Sequence, residues 1–192
     1  MNNPQDTAVL EKLTDVLDSL NIVYVIGGSM ASSVYGAVRF TQDADITVEP
    51  FAPLTDKLFA ALHKDFYISK EAMYEALHNR SSFNVIHFAT AFKIDIFVSP
   101  ETEFHKQMFS RGRKICLSDI AKPISFVSPE DIILLKLDWY KKSGCISERQ
   151  WADIKGVLAA QADSLDYEYL RKWSEKLGTG ELLLRAIDEQ KA

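Results

Sequence analysis

The sequence predicts an α+β protein: a small mixed β-sheet flanked by helices, followed by a C-terminal helical subdomain. Three observations carry this. Strand-like runs at 22–26, 40–48, 83–88 and 92–98 are interleaved with segments of helical spacing. From Ser128 onward only helical periodicity remains. With 192 residues and 47% hydrophobic content, the chain can bury a real core. The expected division is therefore residues 1–127 and 128–192.

The first helix is read over Asp6 to Leu20, because Val9, Leu10, Leu13, Val16, Leu17 and Leu20 fall on one helical stripe. It feeds a strand, Ile22 to Ile26. Ser29 can cap a short helix through Tyr35, which Gly36 closes. Phe40 to Val48 alternates as a strand, and Pro53 suits the first turn of a helix reaching Lys64 with Leu54, Leu58, Phe59 and Leu62 inward. An amphipathic piece covers Glu71 to Leu77. Phe83 to Phe88 and Phe92 to Val98, separated by Ala89-Thr90-Ala91, read as an antiparallel pair. A helix near Glu101 to Phe109 and strands around Lys114 to Leu117 and Ile124 to Val127 complete this part. Ser128-Pro129-Glu130-Asp131 is a strong helix start: a capping serine, a proline at the first position, then acids at the positive end of the dipole. Helices follow at 129–142, 147–160, 166–177 and 180–189.

The richest stretch is Val25 to Glu49. Gly27-Gly28-Ser29 ends an apolar run, where a backbone lacking Cβ atoms can approach a phosphate and the next helix can present free N–H groups. Asp43, Asp45 and Thr47 share one strand face, while Ala44, Ile46 and Val48 enter the core. Two carboxylates so close repel unless cations bridge them. Lys93, Asp95 and Phe97 share a face of a later strand, which brings a third carboxylate that could neighbour the pair.

Other chemistries fail on details. GGSMASSVYG is not GxGxxG and no GxxxxGK[ST] occurs, which removes dinucleotide and P-loop sites. Asp43-Ala44-Asp45-Ile46-Thr47 fits the Asp-x-Asp-x-Thr loop of haloacid-dehalogenase-like phosphatases, but Arg39-Phe40-Thr41-Gln42 stands where that loop has a hydrophobic strand. Cys116 and Cys145 lack zinc spacing and are expected to be buried free thiols. The absence of a long apolar stretch or a signal pattern implies a soluble cytoplasmic protein with no membrane partner. A net charge of −5 argues against broad non-specific nucleic-acid binding.

A Gly-Ser turn, a short helix, then Asp-x-Asp on a strand and a third Asp on a later strand resembles the nucleotidyltransferase fold of polymerase-β-like enzymes. The stretches GGSMASSVYGAVRFTQDADITVE, RSSFNVIHFATAFKIDIFV and SPEDIILLKLDWYKKSGCISERQWADIKGVL are similar to bacterial minimal nucleotidyltransferases related to AbiEii-like toxins, over roughly Val23 to Leu158. That resemblance implies a metal-dependent enzyme moving a nucleoside monophosphate from a nucleoside triphosphate, such as ATP, to an acceptor hydroxyl. It makes Asp43, Asp45 and Asp95 the ligands of Mg²⁺ or Mn²⁺. Gly27, Gly28 and Ser29 would form the phosphate turn, with Gly28 and Ser29 on the β- and γ-phosphates. Arg39 and Thr41, on the face of Asp43 in an extended segment, could add a cation and a hydroxyl.

Lys136 interrupts the apolar run IILLKLDWY, with Ile132, Ile133, Trp139 and Tyr140 at helical neighbour positions, where a cation is costly without an anion. The resemblance matches it to a phosphate contact, and matches Asp153 to a functional acid. Lys136 could instead snorkel past Trp139. Asp153 could orient Lys136, touch the nucleotide, or only pair with Arg149 four residues earlier. The resemblance further implies a C-terminal subdomain that closes the nucleotide cleft through Lys136. Arg80, Ser82, His87 and Lys93 match the middle motif but are left outside the expected site. Three functional classes remain: a toxin-like enzyme with a cognate antitoxin that modifies RNA, such as a tRNA end, for which Lys106, Arg111, Arg113 and Lys114 would be the basic surface; an enzyme that adenylylates a protein or small molecule; or nucleotide binding without catalysis.

Overall fold

The computed structural model describes residues 4–39, 41–117, 120 and 122–191. The chain divides into two compact units, Met1–Gly27 with Phe40–Phe126, and Gly28–Arg39 with Val127–Ala192. The second unit thus recruits an early segment. This differs from the single boundary expected at Ser128, and the reason lies in how that segment packs, described below.

In the first unit, α1 (Pro4–Ser19) buries Val9, Leu10, Leu13 and Leu17 and packs on α3 (Thr55–Leu62), which a 3₁₀ turn at Ala52–Leu54 introduces. Asn21 ends α1 in the left-handed region at φ 53°, and the chain enters β1 (Tyr24–Ile26). β2 (Asp43–Val48), β3 (Phe66–Tyr67), β4 (Ser82–His87), β5 (Lys93–Val98), β6 (Arg113–Ile115) and β7 (Ile124–Phe126) complete one mixed sheet in the order β3-β4-β5-β2-β1-β7-β6. β1 runs antiparallel to β2 and parallel to β7, β2 runs parallel to β5, and β4–β5 is the expected antiparallel pair. α4 (Lys70–Asn79) starts at the Ser69 cap and packs on β4, and α5 (Glu103–Ser110) starts at the Thr102 cap. β2 starts at Asp43, later than expected; Thr41 precedes it outside the ladder, and Phe40 lies outside the described residues.

In the second unit, α6 (Pro129–Lys142) starts as its sequence dictates: the Ser128 hydroxyl accepts from Asp131 N–H at 3.1 Å and donates to Asp131 Oδ2 at 2.7 Å. Glu130 and Asp131, 1% and 0% exposed, are tied to the start of α8 (Tyr167–Lys176). Asp166 N–H donates to Glu130 Oε1 at 3.0 Å, and Tyr169 hydroxyl to Asp131 Oδ1 at 2.7 Å. α2 (Gly28–Tyr35) packs on α6 and on α7 (Glu148–Gln161). Its Tyr35 hydroxyl donates to Val127 O at 2.8 Å, and Gln161 Nε2 donates to Tyr35 O at 3.0 Å. Those bonds explain why Gly28–Arg39 groups with the C-terminal helices. α9 (Gly180–Lys191) docks on α7 through Glu189, which accepts from Trp151 Nε1 and from Arg185 Nε, both at 2.8 Å.

Cys116 and Cys145 are both exposed, contrary to the burial expected of them. Cys116 directly follows the short β6, and Cys145 sits in a left-handed turn at φ 61° after Gly144, so neither lies on an inward-facing stripe. Among the described residues no helix is long and apolar enough to cross a membrane.

Two outcomes follow from this packing. A Cβ on Gly36 would lie 2.9 Å from backbone atoms of Gly156 and Val157, which cannot yield as a side chain would. Gly36→Ala should destabilise the second unit by about 1–3 kcal/mol, read as a lower denaturant midpoint. Hydrogen bonds from Trp151 and Arg185 pull Glu189 down to about 2. Its folded value is depressed, so its contribution is complete above the ordinary glutamate value of 4.5 and is lost as pH falls from there toward 2. A Glu189→Gln variant should lose part of the melting-temperature difference between about pH 6 and pH 3, an interval that covers the upper part of that loss.

Candidate active site

β2 and β5 are alternately buried and half-buried along their length. Ala44, Ile46, Ile94 and Ile96 are wholly buried, so Asp43, Asp45, Lys93 and Asp95 are turned to the opposite, half-exposed face. The parallel register sets Asp45 beside Asp95 and Asp43 beside Lys93. Neighbouring strands lie about 4.8 Å apart, so two like charges stand side by side on one row. On the far side of Asp95 the same row continues to Asn84 of β4. On the far side of Asp45 it meets Gly27, whose N–H donates to Asp45 O at 2.9 Å and whose Cβ position is open space.

Asp43 and Asp95 are each held by a neighbouring side chain. The Thr41 hydroxyl, 3% exposed, donates to Asp43 Oδ1 at 2.7 Å. Lys93 Nζ donates to Asp95 Oδ2 at 2.8 Å. That hydrogen bond holds the ammonium above the ordinary lysine range; partial burial opposes it, and the charges of Asp95, Asp43 and Asp45 add to it. Among the described residues no three His, Cys, Asp or Glu side chains converge into a ready metal cage. The donor set nonetheless fits a hard divalent ion: carboxylate oxygens on one face, already gathering a cation.

The second unit carries a different cluster. Arg39 forks onto Asp153, Nε to Oδ1 and Nη2 to Oδ2, both at 3.0 Å. Lys136 Nζ reaches Asp153 Oδ2 at 2.8 Å and Gln150 Oε1 at 2.8 Å. Lys136 is 4% exposed, so it does not snorkel. The Ser29 hydroxyl accepts from Arg39 Nη2 and, at 3.3 Å, from Arg149 Nη2. Burial would raise the Asp153 carboxyl, but the hydrogen bonds and charges of Arg39 and Lys136 outweigh it and hold the group below the ordinary aspartate value. Gly28 opens α2 at φ 54°, in the left-handed region that favours glycine.

No protein-family model matches the chain, and no curated protein sequence does. Solved structures do. The crystal structure of ANT(2'')-Ia with adenylyl-2''-tobramycin aligns with 92% of this chain and 98% of its own at a TM-score of 0.62 and 14% identity. An antigenic nucleotidyltransferase-like protein from Paracoccidioides brasiliensis aligns over 95% and 92% at a TM-score of 0.56 and 18% identity. The lincosamide antibiotic adenylyltransferase LnuA, lincomycin-bound, aligns over 81% and 96% at a TM-score of 0.52 and 15% identity. The chain has the nucleotidyltransferase fold.

Within this nucleotidyltransferase fold the expected site residues fall into two groups. Asp43, Asp45, Asp95, Thr41 and Gly27 belong to the sheet unit; Gly28, Ser29, Arg39, Lys136 and Asp153 belong to the helical unit. The Arg39 guanidinium forks onto Asp153, and the ladder of β2 begins at Asp43. Ser29 lies inside the first turn of α2 and not at its cap. Asp153 pairs with Arg39 and Lys136, whereas Arg149 reaches Ser29. Sequence reasoning passed over Asn84 and Gln150 and considered Arg149 only as a partner of Asp153. Only Asn84 had a signal, as the polar residue between buried Phe83 and Val85. His87 bonds Thr90 within its own hairpin, a structural role.

Asp153→Ala leaves Lys136 buried without its carboxylate and should cost roughly 3 kcal/mol of stability. Replacing the pair together, Lys136→Met with Asp153→Leu, should recover most of that loss in urea denaturation.

Proposed function

We propose that this protein is a metal-dependent nucleotidyltransferase that moves a nucleoside monophosphate from a nucleoside triphosphate, ATP in the first instance, to an acceptor hydroxyl. The observation that carries the reading is the Asp45–Asp95 register pair on the half-exposed face of β2 and β5, within a nucleotidyltransferase fold. Asp43, Asp45 and Asp95 would hold Mg²⁺ or Mn²⁺, with Thr41 fixing one oxygen of Asp43. Bound divalent cations would supply charge neutralisation on the triphosphate and acidify the attacking hydroxyl. Lys136 and Arg39, preset by Asp153, are the phosphate-binding cations, and Gly28 and Ser29 the phosphate turn. The acceptor oxygen attacks the α-phosphorus and pyrophosphate leaves.

For the acceptor, two readings have specific support. ANT(2'')-Ia and LnuA share the fold and are described with adenylylated tobramycin and with lincomycin, which favours a small hydroxylated molecule. The motif resemblance to AbiEii-like toxins favours RNA, and Lys106, Arg113 and Lys114 are exposed on the sheet unit. Protein adenylylation and binding without turnover stand behind these, and a cognate antitoxin belongs to the RNA reading alone.

Each α-phosphate-labelled triphosphate, incubated with the protein, Mg²⁺ and total cell lysate, should place label in metabolite or RNA. Asp43→Ala or Asp45→Ala should lower that transfer by at least ~10²-fold while leaving the melting curve in place. Undiminished labelling in either variant would refute the assignment.

A further inference from the structure

Lys93 has no role in the reading above. It opens β5 two residues before Asp95, on the same face, and its register partner on β2 is Asp43. Its ammonium lies 2.8 Å from Asp95 Oδ2, and the attraction of Asp43 and Asp45 reaches it too. Its side chain is 45% exposed, so its four-carbon stem can swing to solvent without unpacking the core.

Building on the metal reading of the acid face, we propose that Lys93 is a built-in counter-cation, which holds Asp95 in the metal-free protein and is displaced from it by an arriving divalent ion. Like charges on adjacent strands raise the energy of a sheet, and a tethered ammonium offsets that cost in the absence of metal. The same contact makes ammonium and ion rivals for one carboxylate oxygen. Lys93 is thereby a positioning residue: it orients Asp95 and sets the metal concentration at which the acid face fills.

The test uses the full-length chain without nucleotide and follows free Mn²⁺ by its paramagnetic resonance signal. Lys93→Met and Lys93→Gln should bind Mn²⁺ roughly tenfold more tightly than wild type, as removal of a competing unit charge at hydrogen-bond range requires. Lys93→Arg, which keeps the charge, should stay near wild type. Lys57→Met, the same charge change at an exposed position on α3, controls for net charge and should alter affinity little. The inference is overturned if neither Lys93→Met nor Lys93→Gln binds more tightly, or if Lys57→Met gains as much. A separate variant isolates the reading on which it rests. Should wild type and Lys93→Met both fail to take up Mn²⁺, or should adding Asp45→Asn to Lys93→Met leave binding unchanged, the metal reading itself falls, and this inference with it.

Discussion

The parallel pairing of β2 with β5 is the constraint on which the acid face depends. A slip of one residue would set Asp45 beside Ile94 or Ile96 and turn a row of carboxylates into the core. The wholly buried side chains of Ala44, Ile46, Ile94 and Ile96 forbid that slip. Hydrophobic burial on one side of the sheet therefore fixes charge placement on the other. The adjacency of Asp45 and Asp95 needs no interaction between them, and indeed persists against their repulsion.

Both units treat concentrated charge in the same way. The aspartates of the sheet unit gather Lys93, and the cations of the helical unit gather Asp153. Neither set could be assembled bare: desolvation and like-charge repulsion would shift proton affinities or spread the side chains. An internal ion of opposite sign keeps each set in place. The two differ in depth: Lys136 and Asp153 are almost fully enclosed, whereas Lys93 is half-exposed, so water screens the second pair far more than the first.

Much of this was legible in the sequence because periodicity and caps are local. The stripe of α1, the Ser128-Pro129 start of α6 and the alternation of β2, β4 and β5 each follow from a few neighbouring residues. β3 was missed because two residues, Phe66 and Tyr67, carry no period. Arg39 was read as an extension of the Asp43 strand, whereas its guanidinium forks onto Asp153. Its choice of Asp153, 114 residues away, is a long-range contact that no spacing rule contains. Long-range pairing is likewise why α2 was assigned to the sheet unit, when its partners are Val127, Gly156 and Gln161.

The bare contact at Gly36 reaches further than its own turn. Backbone meets backbone there, because Gly36 brings no Cβ toward the peptide that joins Gly156 to Val157. The bare Gly36 thus sets how closely the middle of α7 approaches the turn after α2, and Asp153, three residues before Gly156, lies on the stretch of helix seated there.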